Sequence, residues 1–499
     1  MAPCYRRASF QLTPLQPAAV GFRKGLVFAA IFGIASFAEA EWQVVRLDPL
    51  GATRSDAYCA GAGQQGGYAT LGGIEGACIW SGSAASMVSL HPPGTIRSEV
   101  RCVIPGQQVG GVAIGAWWYA SMWSGSAASW VNLNPPGAFT SFAYGAAGGQ
   151  QVGGAAFTTT GRAGMWQGTA VSYVDLQPPG TSGSAAFGTD GTHQVGWVNV
   201  TGLERASLWS GTAASWVNLE PAGASGSHAY AVKGNYQVGR TIVSGRWQAS
   251  LWSGTAASWV NLNPSAATIS SAYALTETRQ VGFAQIDGYN HASIWTGTPA
   301  SWVDLHAFLP AEFSDSYAHG VYHQGTQTFV AGYGRNSARS TNEALLWIYS
   351  QPAVSGQVVF GDYFGPPIAT ALIEYKDLSF NVVHSENASL DPDGFFTVPT
   401  PAAAGSYYVS VKVGSWLRRT VGPIDTSSSV QGVALHLING DVDEDNEVSV
   451  GDYSLLSWAF NSVPSDGNWN PSADLNGDLS VDIGDYAILS ANYGEVGDG

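Results

Sequence analysis

Apolar and polar positions between residues 41 and 350 recur with a period of 43 residues. Each period contains short alternating runs bounded by glycine and proline, a pattern that predicts β-strands separated by turns. In one period we expect strands at residues 141–146, 150–157, 163–167 and 172–176. Three apolar positions keep the period and are interpreted as core: Trp80, Trp123, Trp166, Trp209, Trp252 and Trp295; Val109, Val152, Val195, Val238 and Val281; Leu47, Leu90, Leu133, Leu176, Leu219, Leu262 and Leu305.

A period of roughly 40–45 residues with four strands is typical of one β-propeller blade. The leucine-bearing strand occurs seven times, first at residues 42–50, whereas the last repeat (314–350) lacks its fourth strand. If residues 44–47 complete that repeat, no sheet edge stays open. We therefore predict a mainly β chain that begins with a seven-bladed β-propeller closed by the N-terminal strand. A linear solenoid is the alternative, and it leaves the first strand without a partner.

The segment at 351–438 has no 43-residue period. Seven short runs of alternating apolar residues, separated by Pro, Gly and Asp turns, predict a β-sandwich there. No catalytic set of residues stands out in it, and we interpret it as a spacer domain.

Two acidic segments, 441–452 and 474–485, share one spacing of oxygen-bearing side chains. Oxygen ligands at loop positions 1, 3, 5 and 12, with a backbone carbonyl at position 7, surround a Ca²⁺ ion. A helix is expected after each loop, so we predict a small α-helical module that binds two calcium ions. Its candidate ligands are Asp441, Asp443, Asp445, Glu447 and Asp452, and Asp474, Asn476, Asp478, Ser480 and Asp485, with Ser449 and Asp482 at position 9.

The charge of the chain excludes some partners. The formal net charge is −16, and only 11% of the residues are charged. An acidic chain does not suit nucleic acid or anionic membranes, because both are bound through basic residues. Residues 440–499 contain 13 acidic residues and no Lys or Arg, so calcium is expected to stabilise the module by neutralising them.

Residues 1–40 have the pattern of a secretory signal peptide, with a basic lead, an apolar run at 25–37 and an Ala-Glu-Ala cleavage site. A membrane anchor is the alternative, but the run is short against the ~20 residues that a spanning helix needs. We expect bacterial-type export and no integral membrane span after cleavage. Export allows one disulfide among Cys59, Cys78 and Cys102, and buried free thiols are the other possibility.

Function is expected where the repeats differ, at the residue after the serine that opens each innermost strand. At this position we place Asp56, Glu99 and Asp315, on three consecutive blades of a closed ring, and predict that they converge on one channel mouth. Such carboxylates could hold a cation or bind sugar hydroxyls, and they are the weak candidates for glycoside hydrolysis. The other candidates are His228, at the same position of another blade, and His319 and His323 in the irregular last blade.

Three resemblances follow from these motifs. The pattern G-x-x-A-x-(x)-Q-V-G…(A/S)-x-x-W-x-G…V-x-L resembles the extracellular HAF-repeat family, which implies a propeller-like fold outside the cell. The middle segment, with D-G-F-F-T-V-P and G-S-Y-Y-V-S-V-K-V, resembles carboxypeptidase regulatory-like and collagen-adhesin B-type sandwich domains. The paired loops resemble the type I dockerin, which implies EF-hand-like calcium binding and a cohesin partner.

The paired loops depart from the dockerin pattern at two places. Position 6 requires φ > 0, and Leu479 stands there in the second loop, whereas Asn446 in the first loop tolerates it. Positions 10 and 11 are Val450-Gly451 and Ile483-Gly484 instead of the Ser/Thr-type residues that dock on clostridial cohesins. The partner therefore stays open between a cohesin-like protein, another surface protein and packing within the chain.

These segments define a signal peptide (1–40), a propeller (41–350), a sandwich (351–438) and a dockerin-like module (439–499). Our leading hypothesis is a secreted or cell-surface, non-enzymatic protein. Its propeller presents a ligand-binding face, with carbohydrate as a candidate ligand, and its calcium module mediates attachment. The alternatives are an extracellular polysaccharide-degrading glycoside hydrolase that carries a dockerin, and a structural coat component.

Overall fold

The computed structural model describes residues 42–61, 63–401 and 405–499. The predicted signal peptide lies outside the described residues. Residues 42–350 form seven four-stranded antiparallel sheets, which are propeller-like and are called blades 1 to 7 here. Each blade begins with an innermost strand, and blades 1 to 6 follow the chain in simple order.

The strands of the blades have the following bounds. Blade 1 contains Arg54–Gly61, Gln64–Leu71, Ile74–Trp80 and Val88–Ser89; blade 2, Arg97–Ile104, Gln107–Ile114, Trp117–Trp123 and Val131–Asn132; blade 3, Thr140–Ala147, Gln150–Ala156, Gly161–Trp166 and Val174–Asp175; blade 4, Ser184–Thr189, Gln194–Val200, Leu203–Trp209 and Val217–Asn218. Blade 5 contains Ser227–Lys233, Tyr236–Val243, Arg246–Trp252 and Val260–Asn261; blade 6, Ser270–Leu275, Gln280–Ile286, Tyr289–Trp295 and Val303–Asp304; blade 7, Phe313–Gln324, Gln327–Asn336, Thr341–Ser350 and Trp42–Arg46.

The fourth strand of blades 1 to 6 is shorter than predicted. In blade 3 the expected strand at 172–176 is a strand of two residues, Val174–Asp175, preceded by a 3-10 helix. The Ser172 hydroxyl causes this turn, because it donates to the Thr169 carbonyl at 2.6 Å and accepts the Gln167 N–H at 2.8 Å. The 3-10 helices of the blades are Ala84–Ser86, Ala127–Ser129, Ala170–Ser172, Ala213–Ser215, Ala256–Ser258, Pro299–Ser301 and His306–Phe308.

Blade 7 is completed by the first described strand, as expected. Trp42–Arg46 pairs antiparallel with Thr341–Ser350, from Trp42 opposite Tyr349 to Arg46 opposite Leu345. A hydrogen bond from the Ala344 N–H to the Ser55 hydroxyl then joins blade 7 to blade 1. The series of blades therefore returns on itself, and Thr341–Ser350 has no open edge.

The same serine bond occurs at every junction between successive blades. A serine in the innermost strand accepts a backbone N–H from the third strand of the preceding blade, at 2.8 to 3.0 Å. The serines are Ser55, Ser98, Ser141, Ser184, Ser227, Ser270 and Ser316. In blade 7 the equivalent serine is thus Ser316, so the alignment that placed Asp315 beside Asp56 and Glu99 is wrong by two residues.

The periodic apolar residues form the contacts between blades. Trp209 of blade 4, for example, is fully buried against Val152 and Leu176 of blade 3. Burying side chains of this size is the main favourable contribution to folding, roughly 25 cal/mol per Å² of apolar surface. The repeated Trp, Val and Leu positions are therefore scaffold.

Residues 353–437 form two sheets, called the two-sheet domain here. The three-stranded sheet contains Phe395–Pro399, Ala353–Phe360 and Val430–Leu437; the four-stranded sheet contains Val382–Ser389, Thr370–Lys376, Ser406–Val413 and Trp416–Asp425. Residues from both sheets share one core, which includes Val358, Ile373 and Val411.

The last part of the chain contains two α-helices, α1 (Val450–Ala459) and α2 (Ile483–Ala491), and the 3-10 helix Pro471–Ala473. Their small core, with Val448, Leu456 and Leu489, also takes in Leu417 of the two-sheet domain. The helical module is therefore packed onto that domain. Within the described residues no helix combines the length and hydrophobicity needed to cross a bilayer.

Candidate functional site

Three carboxylates of the first predicted calcium loop come together. Oxygens of Asp441, Asp443 and Asp452 all lie within 4.8 Å of one another. Asp441 and Asp452 are fully buried, and Asp443 is exposed. Like charges this close repel unless a cation neutralises them, and carboxylate oxygens are the ligands that Ca²⁺ prefers. The residues present therefore fit calcium.

The backbone of the first loop folds around these carboxylates. Asp441 accepts the Asn446 N–H with both oxygens, at 3.2 Å. Asp452 accepts the Asp443 N–H at 3.1 Å and the Ser449 N–H at 2.7 Å, the latter as part of a capping box at the start of α1. Burial raises the pKa of Asp441 and of Asp443, because the charged form loses hydration.

The second loop repeats these backbone contacts, although its carboxylates, Asp474, Asp478 and Asp485, do not form a group of three as close as that of the first loop. Asp474 accepts the N–H groups of Gly477 and Leu479 at 3.0 Å. Asp485 accepts the N–H of Leu475 at 2.7 Å and of Asp482 at 2.8 Å, and it caps α2 as Asp452 caps α1. Burial likewise raises the pKa of Asp474 and Asp485. The two loops are thus two copies of one design.

The remaining predicted ligands lie on the outer side of each loop. Asp445 accepts the Glu447 N–H at 2.9 Å, and Asp478 accepts both the N–H and the hydroxyl of Ser480. The Asn476 amide donates to Asp478 at 3.0 Å. These contacts hold the residues at loop positions 3, 5 and 7 in the arrangement that a calcium loop requires.

Position 6 adopts the left-handed conformation in both loops. Asn446 has φ 73° and Leu479 has φ 68°. Asparagine tolerates this region, whereas leucine is strained in it by roughly 1–2 kcal/mol. Leu479, which departs from the dockerin pattern at position 6, is therefore locally strained.

A cation that the sequence did not predict lies beside the first loop. Lys412, in the two-sheet domain, donates to the Asp441 carboxylate at 2.7 Å. The same ammonium donates to the carbonyls of Gly414 at 2.6 Å and Trp416 at 2.8 Å, and its side chain is only 14% exposed. Nothing in the local sequence could indicate this contact, because Lys412 belongs to another domain.

The second loop contacts the two-sheet domain through backbone groups instead. The Asn476 carbonyl accepts the Phe364 N–H at 2.8 Å. In the first loop, the Asn446 side chain accepts the Arg418 N–H at the same distance. Both loops are therefore positioned by the two-sheet domain, but only the first has a basic side chain against its ligands in the described part of the chain.

The three propeller carboxylates do not converge as predicted. Asp56 is bound by Arg54 at 2.8 Å, by Asn342 at 2.9 Å and by the Tyr68 hydroxyl. Glu99 pairs with Arg101 at 2.7 Å. Among the described residues, the only group of three carboxylates with oxygens within 4.8 Å of one another is the one in the first calcium loop.

Asp315 lies outside the equivalent position and has its own partners. It accepts the Asn290 N–H at 3.1 Å and the Ser314 hydroxyl at 2.9 Å. The prediction of a channel mouth with three carboxylates is wrong because it rests on a misaligned repeat. The insertion in blade 7 places the reference serine at 316 and not at 314. Each carboxylate is instead held by a local donor.

The predicted histidines have separate roles. His228 is buried between the Glu204 carboxylate, at 2.6 Å, and the Tyr230 hydroxyl, at 3.2 Å. His323 lies between the hydroxyls of Thr276 and Thr328, at 3.0 and 2.9 Å. His319 lies on the axis of the blades, and its Nε2 has no partner among the described residues. Cys59, Cys78 and Cys102 are free thiols, so the disulfide alternative is not realised.

The helical module matches a known family. The model of the dockerin type I domain matches residues 439–492, which span both loops and both helices. The last part of the chain is therefore a type I dockerin domain, a class of domain that binds calcium.

Comparisons of the whole chain show less. No curated protein matches it. A chain of a mutant type II cohesin–X–dockerin complex from Acetivibrio cellulolyticus is 21% identical, with 29% of this chain and 97% of that chain covered and a TM-score of 0.26. An oligogalacturonate lyase in complex with manganese is 12% identical, with 63% and 94% covered and a TM-score of 0.41. TolB from Acinetobacter baumannii is 8% identical, with 49% and 63% covered and a TM-score of 0.34.

Proposed function

We propose that the protein is an exported attachment and binding protein without hydrolase activity. The blades form a closed, seven-bladed propeller of HAF type that presents a ligand-binding face, and residues 351–438 are a sandwich spacer of the carboxypeptidase regulatory-like kind. The dockerin binds two calcium ions and a cohesin-type partner. The observation that carries this proposal is the doubled calcium loop with its two exposed helix faces. The signal peptide and the carbohydrate ligand belong to the same proposal.

The helices expose an apolar surface, called the dockerin face here. Its centre is Tyr453 of α1 against Tyr486 of α2, with ring centroids 5.9 Å apart. Val450 and Ile483, at loop position 10, are 66% and 68% exposed, and Trp458 is 60% exposed. A cluster of exposed aromatic and aliphatic side chains is typical of a protein-binding surface.

The dockerin face points away from the surface that packs on the two-sheet domain. The core residues Leu456 and Leu489 lie against Leu417, whereas Val450 and Ile483 remain exposed. This arrangement favours a separate partner over packing within the chain. Because position 10 is Val or Ile, the partner requires an apolar patch opposite it instead of acceptors for Ser/Thr hydroxyls.

A glycoside hydrolase remains the weaker proposal. Paired catalytic carboxylates have to be free to reach the glycosidic bond. Asp56 and Glu99 are each engaged by an arginine within their own strand, and Asp56 accepts two further hydrogen bonds. This favours a structural role for both residues. Hydrolysis of polysaccharide is therefore not part of the function that we propose.

The attachment role is tested by capture of the purified chain (Glu41 onward) on an immobilised cohesin whose docking surface is apolar opposite loop position 10, with calcium and with EDTA. We expect capture with calcium alone. Ile483→Asp and Val450→Asp each place a charge on the dockerin face and should abolish capture, whereas Ile96→Asp, at an equally exposed blade residue (58%), should not. Capture that persists in EDTA, or in the Ile483→Asp/Val450→Asp double variant, would contradict the proposal.

A further inference from the structure

One residue in each innermost strand is left out of the strand pairing by a β-bulge. The register shifts between Ala57 and Cys59 in blade 1, and at the corresponding place in the other six blades. A bulge leaves its extra residue unpaired and turns that side chain in a new direction. The seven residues concerned are Tyr58, Arg101, Tyr144, Phe187, Tyr230, Tyr273 and His319.

These seven side chains line a single cavity, called the axial cavity here. Its volume is about 410 Å³, within the range of small-molecule sites. Every one of the seven is partly exposed to it. Successive rings touch around the wall, from Tyr144 and Phe187 at 5.2 Å between centroids to Tyr273 and His319 at 4.7 Å. The bulges therefore build one aromatic-walled site from all seven blades.

The polar groups of the axial cavity are held in place and balanced in charge. The Arg101 guanidinium lies 3.9 Å over the Tyr58 ring and donates through Nε and Nη2 to Glu99, at 2.9 and 2.7 Å. Its Nη1 has no bonded acceptor within the described residues. Because Glu99 neutralises Arg101, the cavity carries little net charge.

His319 supplies a second hydrogen-bonding group that lacks a partner. Its ring stacks on Tyr273, and its Nε2 is buried without a partner among the described residues. Burial, together with the nearby charge of Arg101, lowers the pKa of His319 to about 3, so the ring is neutral at physiological pH. A buried polar atom without a partner costs free energy, and a ligand hydroxyl would remove that cost.

We propose that the axial cavity binds an uncharged sugar ring. The C–H groups of a pyranose carry partial positive charge and pack on the negative faces of the tyrosine rings. Its hydroxyls reach the Arg101 Nη1, and they reach the His319 Nε2 once the imidazole turns from its buried position; these two groups fix the orientation of the sugar ring. Arg101 lines the cavity and would repel an aminosugar, while its ion pair with Glu99 removes most of its attraction for an anionic sugar, so neutrality is the basis of selectivity. This inference names the class of ligand that the propeller binds. It rests on the proposed function, in which the propeller is a ligand-binding domain.

The test uses the full chain from Glu41 and calorimetric titration with methyl glycosides of glucose, galactose, mannose and N-acetylglucosamine. We expect one neutral sugar to bind at roughly millimolar Kd or tighter, and glucuronate and glucosamine to bind at least about tenfold more weakly. Tyr273→Leu and Tyr144→Leu remove a stacking face while keeping an apolar side chain, and each should weaken binding by about tenfold or more. Tyr289→Leu, at an exposed ring away from the cavity, is the matched control.

The proposal is overturned if no neutral glycoside binds at roughly 10 mM, if glucuronate binds best, or if Tyr273→Leu and Tyr144→Leu bind like the Tyr289→Leu control. Melting curves of each variant show whether it is folded. Cohesin capture is measured on the same variants. If the chain is captured by cohesin but binds no sugar, the attachment role is retained and the axial sugar site is rejected. If it binds sugar but is not captured, the axial sugar site is retained and the attachment role is rejected.

Discussion

The Ser55 hydroxyl accepts the Ala344 N–H at 3.0 Å and donates to the Asp48 carboxylate at 2.6 Å. This pair joins the last blade to the first across 289 residues of chain. The same type of bond joins every other pair of successive blades, so ring closure uses the geometry of an ordinary junction. The first strand gives Thr341–Ser350 a hydrogen-bonded neighbour on each side, and the serine bond joins blade 7 to blade 1.

Ser55→Ala should lower the free energy of unfolding by about 1–3 kcal/mol. The substitution leaves the buried Ala344 N–H without an acceptor, and an unsatisfied buried donor costs this amount. Chemical denaturation followed by tryptophan fluorescence measures the change. Ser184→Ala removes the equivalent bond between blades 3 and 4 and should have a similar effect. A Ser55→Ala protein as stable as the parent would show that the junction with blade 7 is not closed.

Leu479→Gly should strengthen the second calcium loop. Glycine adopts φ 68° without strain, so the folded loop gains about 1 kcal/mol. Part of this gain is offset because glycine also makes the unfolded chain more flexible. Leu479 is 59% exposed, and little packing is lost. Calcium affinity and the melting temperature of the calcium-loaded chain should both rise. Leu479→Ala is the control, because alanine shortens the exposed side chain but keeps the strained φ, and it should leave both quantities nearly unchanged. A fall in affinity for Leu479→Gly would show that its side chain matters more than its φ.

Lys412→Met should raise the calcium affinity of the first loop by about tenfold. The ammonium lies 2.7 Å from a predicted ligand, Asp441, so it competes with the ion for this carboxylate and repels a second cation there. Two-site calorimetry should show one site tightened and the other unchanged. Lys376→Met is the matched control, because Lys376 donates to the Gly499 carbonyl and interacts with the charge of Asp498, neither of which is a predicted calcium ligand. A weaker first site in Lys412→Met would mean that the lysine mainly holds the loop in shape.

Acid should destabilise the blades through His319. Its pKa is lowered from 6.5 to about 3 in the folded chain, so the unfolded chain binds the proton more tightly. The stability that depends on neutral His319 is complete above pH 6.5 and is lost as the pH falls from 6.5 towards 3. His319→Phe should therefore show a smaller fall in melting temperature between pH 7 and pH 4. His193→Phe, at a ring 32% exposed beside Asp190, should retain the steep fall of the parent, and equal slopes for all three proteins would exclude the mechanism.

The repeat could be predicted from the sequence because its core positions keep a strict period. Trp209 and Leu176 mark strands that pack between blades, and the pairing of Trp42–Arg46 with the last blade followed from the count. The 3-10 turn at Ser172 was missed, since one hydroxyl determines it and its apolar pattern also fits a strand. The position of Asp315 was missed because an insertion shifted the register in the irregular blade.

The calcium loops were visible in the sequence because their ligands are local. Asp441 to Asp452 and Asp474 to Asp485 each lie within twelve residues, and the strain at Leu479 could be read from its position. Lys412 could not be found this way, because the contact depends on how two domains pack. The axial residues were hidden for a similar reason: bulges, which the period does not reveal, turn Tyr58 and Arg101 towards the axis.

The attachment role is tested most directly by calorimetric titration of the chain from Glu41 with calcium, beside the Asp441→Ala/Asp474→Ala double variant. Both substitutions remove the first ligand of a loop, so we expect about two bound ions per chain that are lost together in the double variant. Cohesin capture should disappear with them. A parent chain that binds no calcium, or a double variant that still binds as the parent does, would show that these loops are not the calcium sites of a working dockerin.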